Sequence, residues 1–303
     1  MFRPDLVAMR QHITGPIVTR FAPAPTGYLH LGHVVNAIYV WGVAAALGGT
    51  VILRVEDHDR VRSRPEYERA LIEDLTWLGL LDYLPPATMV RQRERGALYD
   101  AALARLRARG LVYACDCTRA TYAGERYPGH CRHRGLAEGP GRGLRVRIEP
   151  GLEHADDALR GRLAQSPESQ CGDLLVKDRN GHWTYQFAVT VDDLQQAITL
   201  VIRGEDLVLS TGRQVRLGRL LLDAGLTETA WPPLYLHHPL LYDEGGVKLS
   251  KSTGATGVRE LRNAEIPPAV VLGRAAAAAG LLPAPSEIDA VALASLFTGQ
   301  STI

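Results

Sequence analysis

Apolar and polar positions alternate along the chain in an order that predicts a parallel sheet. Ile17 to Phe21 is a short apolar, β-branched run that meets Ala-Pro-Ala-Pro-Thr-Gly, a turn whose prolines exclude helix. A helical pattern follows from Gly32 to Leu47, and its stretch from Val34 is the longest apolar one in the chain. Interrupted by Asn36, it reads as a buried helix and not as a membrane span. Thr50 to Val55 is a buried strand stopped by Glu56-Asp57-His58-Asp59. Strand, turn, helix, strand is the opening of a parallel α/β sheet with a right-handed crossover.

Further helical patterns cover 65–78 and 95–109. From Leu111 the character changes to Cys-, Gly-, Pro- and Arg-rich loops with short strands such as 144–148. The α/β pattern resumes with Trp183 to Val189, Ala197 to Ile202, a helix near 212–224 and Leu234 to His237. Gly245 to Gly257 is a Gly/Ser/Thr-rich loop, and the Ala/Leu-rich tail after it predicts helix. The expected organisation is a discontinuous Rossmann-like α/β domain over 14–110 and 183–252, an inserted subdomain over 111–182 and a helical appendage over 253–303.

Composition alters this picture in two places. The 303 residues are 46% hydrophobic and carry a formal net charge of only +1, ordinary for a globular protein. With no apparent signal segment, a cytoplasmic location with no membrane partner is expected. Between Arg91 and Arg147, however, thirteen Arg face five Asp or Glu, a basic stretch able to steer a phosphate backbone or simply to face solvent. Lysine occurs three times, against 31 Arg. Two of the three, Lys248 and Lys251, stand in Lys248-Leu-Ser-Lys251-Ser252. Compact, mobile ammonium groups there can close over a polyphosphate where planar guanidinium forks would not.

At the first turn, His30 and His33 flank Gly32 where a strand passes into a helix. Helix N–H groups and both imidazoles can therefore face one anion, and Gly32 allows close backbone approach. Cys115, Cys117 and Cys131 lie within seventeen residues, a spacing that suits a metal better than a disulfide in a reducing compartment. A tetrahedral ion needs a fourth ligand, and the chain offers Tyr127, His130, His133 or water. On chemistry alone a His is preferred. Cys171 is left over and reads as a small core residue.

Taken in order, these motifs resemble the two signatures of class I aminoacyl-tRNA synthetases, His-Ile-Gly-His and Lys-Met-Ser-Lys-Ser. The run from Arg20 to Gly32, then Arg54-Val-Glu56-Asp-His-Asp, Tyr185-Gln, Val191-Asp-Asp and Arg203-Gly-Glu-Asp206-Leu resemble the glutamyl-tRNA synthetase group in particular. The resemblance spans about Pro16 to Thr253. It implies that Arg20 and Arg203 take the side-chain carboxylate of glutamate, as guanidinium forks suit carboxylates. It implies further that Glu56 takes the α-amino group and Tyr185 lines the pocket with Phe21, Ala22, Pro23 and Ala24. His30, Gly32, His33, Lys248 and Lys251 would serve ATP and its Mg²⁺. Ala24 departs from the usual Ser of that turn, which removes one hydroxyl from the amino-group site.

Cys-x-Cys followed by Tyr-x-x-x-Cys is similar to the zinc-binding segment of the glutamyl-queuosine tRNA(Asp) synthetases, where Tyr is the fourth ligand. That likeness makes Cys115, Cys117, Tyr127 and Cys131 the expected zinc set. About fifty residues follow Ser252, whereas a full glutamyl-tRNA synthetase continues into anticodon-reading domains, so none is expected here. The implied activity is tRNA-independent formation of glutamyl-adenylate and transfer of glutamate to queuosine in the anticodon loop of tRNA(Asp), by a monomer. Compact charging of a tRNA 3′ end, ligation to another acceptor and a non-catalytic RNA-binding paralogue are the alternatives.

Overall fold

The computed structural model describes residues 3–81, 89–118, 121, 126–242 and 257–298. After α1 (Leu6–His12), the chain forms β1 (Val18–Phe21), α2 (Leu31–Leu47), β2 (Thr50–Val55), α3 (Pro65–Trp77), β3 (Met89–Arg91) and α4 (Gly96–Ala108). β1, β2 and β3 pair in parallel, with Val18 opposite Thr50 and Leu53 opposite Met89. α2 is apolar all round after Asn36, and ten of its residues are buried, including Tyr39 and Trp41. Burying each such side chain contributes about 1.5–3 kcal/mol, so this helix is the centre of the main core. It ends at Gly48, whose φ of +64° is the left-handed conformation in which a side chain would be strained.

The stretch expected as one insertion builds two different structures. β4 (Val112–Cys115), β5 (Gly143–Val146) and, further on, β8 (Leu174–Lys177) form a separate antiparallel sheet in the order β4-β5-β8. Between β5 and β8 lie β6 (Glu153–Asp157), β7 (Gly161–Gln165) and α5 (Pro167–Cys171). β6 and β7 form a hairpin that joins a different sheet instead. Its partner there is β10 (Leu234–His238), which also pairs in parallel with β9 (Leu200–Gly204). α6 (Tyr185–Gln195) precedes β9, and α7 (Val208–Asp223) connects β9 to β10.

The parallel β1-β2-β3 sheet and the mixed β7-β6-β10-β9 sheet meet edge to edge at β1 and β9, where the Thr199 N–H donates to the Val18 carbonyl (3.0 Å) and the Val18 N–H to Thr199 Oγ1 (2.9 Å). α8 (Val258–Asn263), α9 (Pro268–Ala278) and α10 (Ser295–Thr298) complete the chain. Among the described residues no helix is long and apolar enough to cross a membrane.

Candidate active site

The C-terminal ends of β1, β2 and β9 and the start of α2 surround a cavity of about 530 Å³. Such a crevice at the carboxyl ends of parallel strands is where open α/β sheets bind ligands. Eleven expected residues line it: Arg20, Phe21, Ala22, Pro23, Ala24, His30, Gly32, His33, Glu56, Tyr185 and Arg203. Lys248, Lys251 and Ser252 lie outside the described residues. The chain on either side of their loop is placed: Leu240 lines the cavity, and Gly257 forms a β-bridge with His30.

His30 caps α2. Its Nδ1 accepts the Gly32 N–H (3.1 Å), and His33 Nδ1 accepts the His30 N–H (3.2 Å), a reciprocal box that sets both rings with centroids 4.0 Å apart. A Cβ on Gly32 would stand 3.0 Å from the His30 ring, so glycine there preserves the ring's place as well as the backbone's approach.

Three buried guanidinium groups define the electrostatics. Arg20 donates through Nε to Asp193 Oδ1 (3.1 Å) and through Nη1 to the Ile202 carbonyl (3.3 Å). Arg54, fully buried, donates to the same Asp193 oxygen (2.7 Å), to Gln196 (2.9 Å) and to Glu56 (3.3 Å). Burial works to raise the Asp193 pKa, but the Arg20 and Arg54 charges hold it below the ordinary value. For Glu56 burial prevails and raises the pKa, against the pull of Arg54, His58 and Arg20.

Arg203 differs. It is 4% exposed, yet its fork is held only by neutral acceptors. Nε donates to His237 Nε2 (3.0 Å), Nη1 to Gln214 Oε1 (2.7 Å) and Nη2 to Thr211 Oγ1 (2.9 Å). Among the described residues no carboxylate lies within 4.0 Å of it. A buried cation without a counter-charge is costly, so the site is preorganised for an anion brought by a ligand.

Sequence reasoning gave no role to Arg54, Asp193, Asn36 or His238. The two adjacent acids of Val191-Asp-Asp, in a helix with no other charged residue, were the available signal for Asp193. His238 is stacked on Tyr39 with centroids 4.8 Å apart, and burial lowers its pKa to about 4, so it is a neutral partner for Asn36 (3.1 Å). The basic 91–147 stretch is largely spent on internal pairs: Arg91 and Arg93 meet Glu68, Arg95 meets Asp192, Arg107 meets Glu138, and Arg134 meets Asp116. Lys177 pairs with Asp100, away from the cavity.

Cys115, Cys117 and Cys131 converge, with their sulfurs all within 4.8 Å of one another and no disulfide formed. Cys117 and Cys131 Sγ are 3.5 Å apart, and the Tyr127 hydroxyl is 3.5 Å from Cys115 Sγ. Tetrahedral zinc with bonds of about 2.3 Å to S and 2.0 Å to O has edges of about 3.5–3.8 Å; both of these distances match such an edge, and the three sulfurs form a group able to hold a metal ion. Among the described residues no His nitrogen joins this group. The oxygens beside the sulfurs are the Tyr127 hydroxyl and Asp116 Oδ1, the latter 3.2 Å from Cys131 Sγ. Cys171 stands apart, its thiol donating to the Pro167 carbonyl (3.1 Å).

A parallel sheet whose strand ends meet a His-capped helix over a cationic cavity defines a class I synthetase catalytic domain. Residues 16–278 match the family of class I tRNA synthetases (E and Q), catalytic domain; the chain belongs to that family and is an ATP-using ligase. It is 42% identical over 253 residues to a glutamyl-Q tRNA(Asp) synthetase of Burkholderia cenocepacia, covering 79% of this chain and 81% of that protein. Identity to the glutamyl-Q tRNA(Asp) synthetase of Nitratidesulfovibrio vulgaris is 38% over 287 residues, with 87% and 86% covered. The crystal structure of glutamate-tRNA synthetase from Elizabethkingia anophelis superposes with a TM-score of 0.72 at 26% identity. The match covers 86% of this chain but 61% of that one, about three fifths of its length.

Proposed function

We propose that this ligase activates glutamate with ATP in the absence of tRNA and transfers it to the queuosine base at the wobble position of tRNA(Asp). One observation carries the amino-acid assignment: Arg203 is a buried, oriented guanidinium with no carboxylate partner among the described residues, and Arg20 stands in the same cavity. A glutamate side chain supplies the missing charge, and the fork geometry suits bidentate pairing. Glu56, on the same wall, takes the α-amino group, with Tyr185 and the backbone of Ala22 to Ala24 closing the pocket. The queuosine acceptor is supported by the names of the relatives.

The α-carboxylate of glutamate attacks the α-phosphorus of ATP, and pyrophosphate leaves with the bonding electrons. His30, His33 and the α2 N-terminus hold the phosphates. Lys248 and Lys251 neutralise the charge that develops on the leaving group, with Mg²⁺ as the counter-ion of the nucleotide. Alignment and electrostatic stabilisation supply the rate, and no covalent enzyme intermediate forms. A cyclopentene hydroxyl of queuosine then attacks the mixed anhydride and releases AMP. An unstacked anticodon base can enter such a cavity. Cys115, Cys117, Tyr127 and Cys131 would hold one zinc ion, which contributes folding energy to the β4-β5-β8 sheet. A monomer acting in the cytoplasm completes the reading.

The test is glutamate-dependent ATP–pyrophosphate exchange with and without tRNA, followed by transfer of labelled glutamate to queuosine-containing tRNA(Asp). Exchange without tRNA and label in the anticodon loop are expected. Exchange that requires tRNA, with label on the 3′ end, would replace this reading with compact charging, and absence of exchange would refute both.

A further inference from the structure

Behind Arg203 lies a second layer that no part of the reaction uses. His237, fully buried on β10, meets Arg203 Nε through Nε2, and its Nδ1 lies 2.5 Å from Asp157 Oδ2 at the end of β6. The same Asp157 oxygen accepts the His237 backbone N–H (3.1 Å). Its other oxygen accepts the Leu159 and Arg160 N–H groups, each at 2.9 Å. All four acceptor positions of the carboxylate are thus filled by donors. Arg203 Nε–H is always a donor, so His237 Nε2 must be bare and Nδ1 must carry the proton.

We propose that Asp157 and His237 are positioning residues: the carboxylate fixes the Nδ1–H tautomer of the imidazole, whose bare Nε2 then aims the Arg203 guanidinium into the amino-acid cavity. Burial and the Arg203 charge hold the His237 pKa below its ordinary value, which keeps the ring neutral and Nε2 free to accept. The inference deepens the glutamate reading and rests on it for its kinetic arm.

Asp157→Asn is the informative change because it alters protons without altering shape. The new NH₂ must face either two backbone N–H groups or one. The lesser conflict lies on the Oδ2 side, where it donates to His237 Nδ1 and forces the Nε2–H tautomer. Donor then faces donor at Arg203. The glutamate KM in pyrophosphate exchange should rise about tenfold, the effect of losing one charged hydrogen bond, with the ATP KM within about twofold. His237→Gln keeps an acceptor oxygen near the Nε2 position and should stay close to wild type. It should also restore most of the loss when combined with Asp157→Asn. His237→Phe fills the space without an acceptor and should match Asp157→Asn.

A purely structural role predicts instead that all four variants follow their melting temperatures, with Gln and Phe alike, and that result would overturn the proposal. The tautomer is read separately, without substrate, from the ¹⁵N chemical shifts of His237. A protonated Nε2 in the wild type also overturns the proposal. Absence of glutamate-dependent exchange in the wild type would instead refute the glutamate reading, leaving the ¹⁵N shifts to decide the relay.

Discussion

Replacing Arg203 tests the amino-acid site most directly. Its guanidinium is buried and already oriented by His237, Gln214 and Thr211, so little ordering remains when a carboxylate arrives. Removing one partner of a buried ion pair costs about 3–5 kcal/mol, and each 1.36 kcal/mol is a factor of ten. The cavity opens to solvent, which favours the lower end, so Arg203→Ala should raise the glutamate KM roughly a hundredfold. Arg203→Lys should recover only part of this, because one ammonium cannot reach three acceptors and still present two parallel donors. The assay is ATP–pyrophosphate exchange over a glutamate titration at saturating ATP, with the ATP KM as the internal control. A glutamate KM changed by less than about fivefold would place Arg203 in the class of weak, screened pairs and would sink the reasoning. Arg20 is the less clean target, since Asp193 ties it to Arg54 and its loss disturbs both.

Restoring a hydroxyl with Ala24→Ser should lower the glutamate KM about tenfold, the worth of roughly 1.5 kcal/mol from one hydrogen bond to a charged group; an unchanged value would show that backbone groups already satisfy the α-amino site. Cys115→Ser should reduce bound zinc from one per chain to well below it, measured by elemental analysis after dialysis, and retention of a full equivalent would remove the proposed ligand set. Asp74 is buried on α3, and burial raises its pKa to about 6 despite the opposing charge of Arg262, 3.2 Å away on α8. A folded pKa above the unfolded value means that ionisation costs stability as pH rises from about 4 through 6. Asp74→Asn should therefore raise the melting temperature at pH 7.5, with the gain vanishing near pH 4. A loss at pH 7.5 would mean that the ion pair with Arg262 outweighs desolvation.

Local pattern made much of this molecule legible. The proline turn and the apolar 34–47 run predict β1, the turn and α2, and the observed helix begins one residue before the expected Gly32. Eight of the eleven expected residues in the cavity lie within 20–33, around the one turn that gathers them, whereas Glu56, Tyr185 and Arg203 were named only through the family resemblance. What sequence could not show is what depends on long-range pairing. Asp157 meets His237 eighty positions away, and Arg54 meets Asp193 at a separation of 139; nothing in either neighbourhood announces the partner. The basic 91–147 stretch could not be told from a phosphate-steering or solvated face because several of its partner acids, Glu68 on α3 and Asp192 on α6 among them, lie elsewhere in the chain. The short β6 is Glu-His-Ala-Asp-Asp, buried at alternate positions although only Ala155 is apolar. With charged residues at two of its three buried positions, its sequence gave no indication that the hairpin leaves its neighbours for the other sheet.

The path of that hairpin sets a limit on modularity. β5 and β8 are adjacent in the antiparallel sheet, so β6, β7 and α5 together form a closed loop whose two ends are clasped there. The clasp adjoins the cysteine cluster, since β4 ends at Cys115 and Arg145 of β5 donates to its sulfur (3.4 Å). The loop reaches across to place Asp157 beneath Arg203's histidine. Cutting out 111–182 to obtain a minimal core would therefore not trim an accessory; it would take away Asp157, the partner of the histidine that meets Arg203. A circular permutation opened at the β6–β7 turn would leave the clasp intact but would disturb the Leu159 and Arg160 N–H groups that hold Asp157.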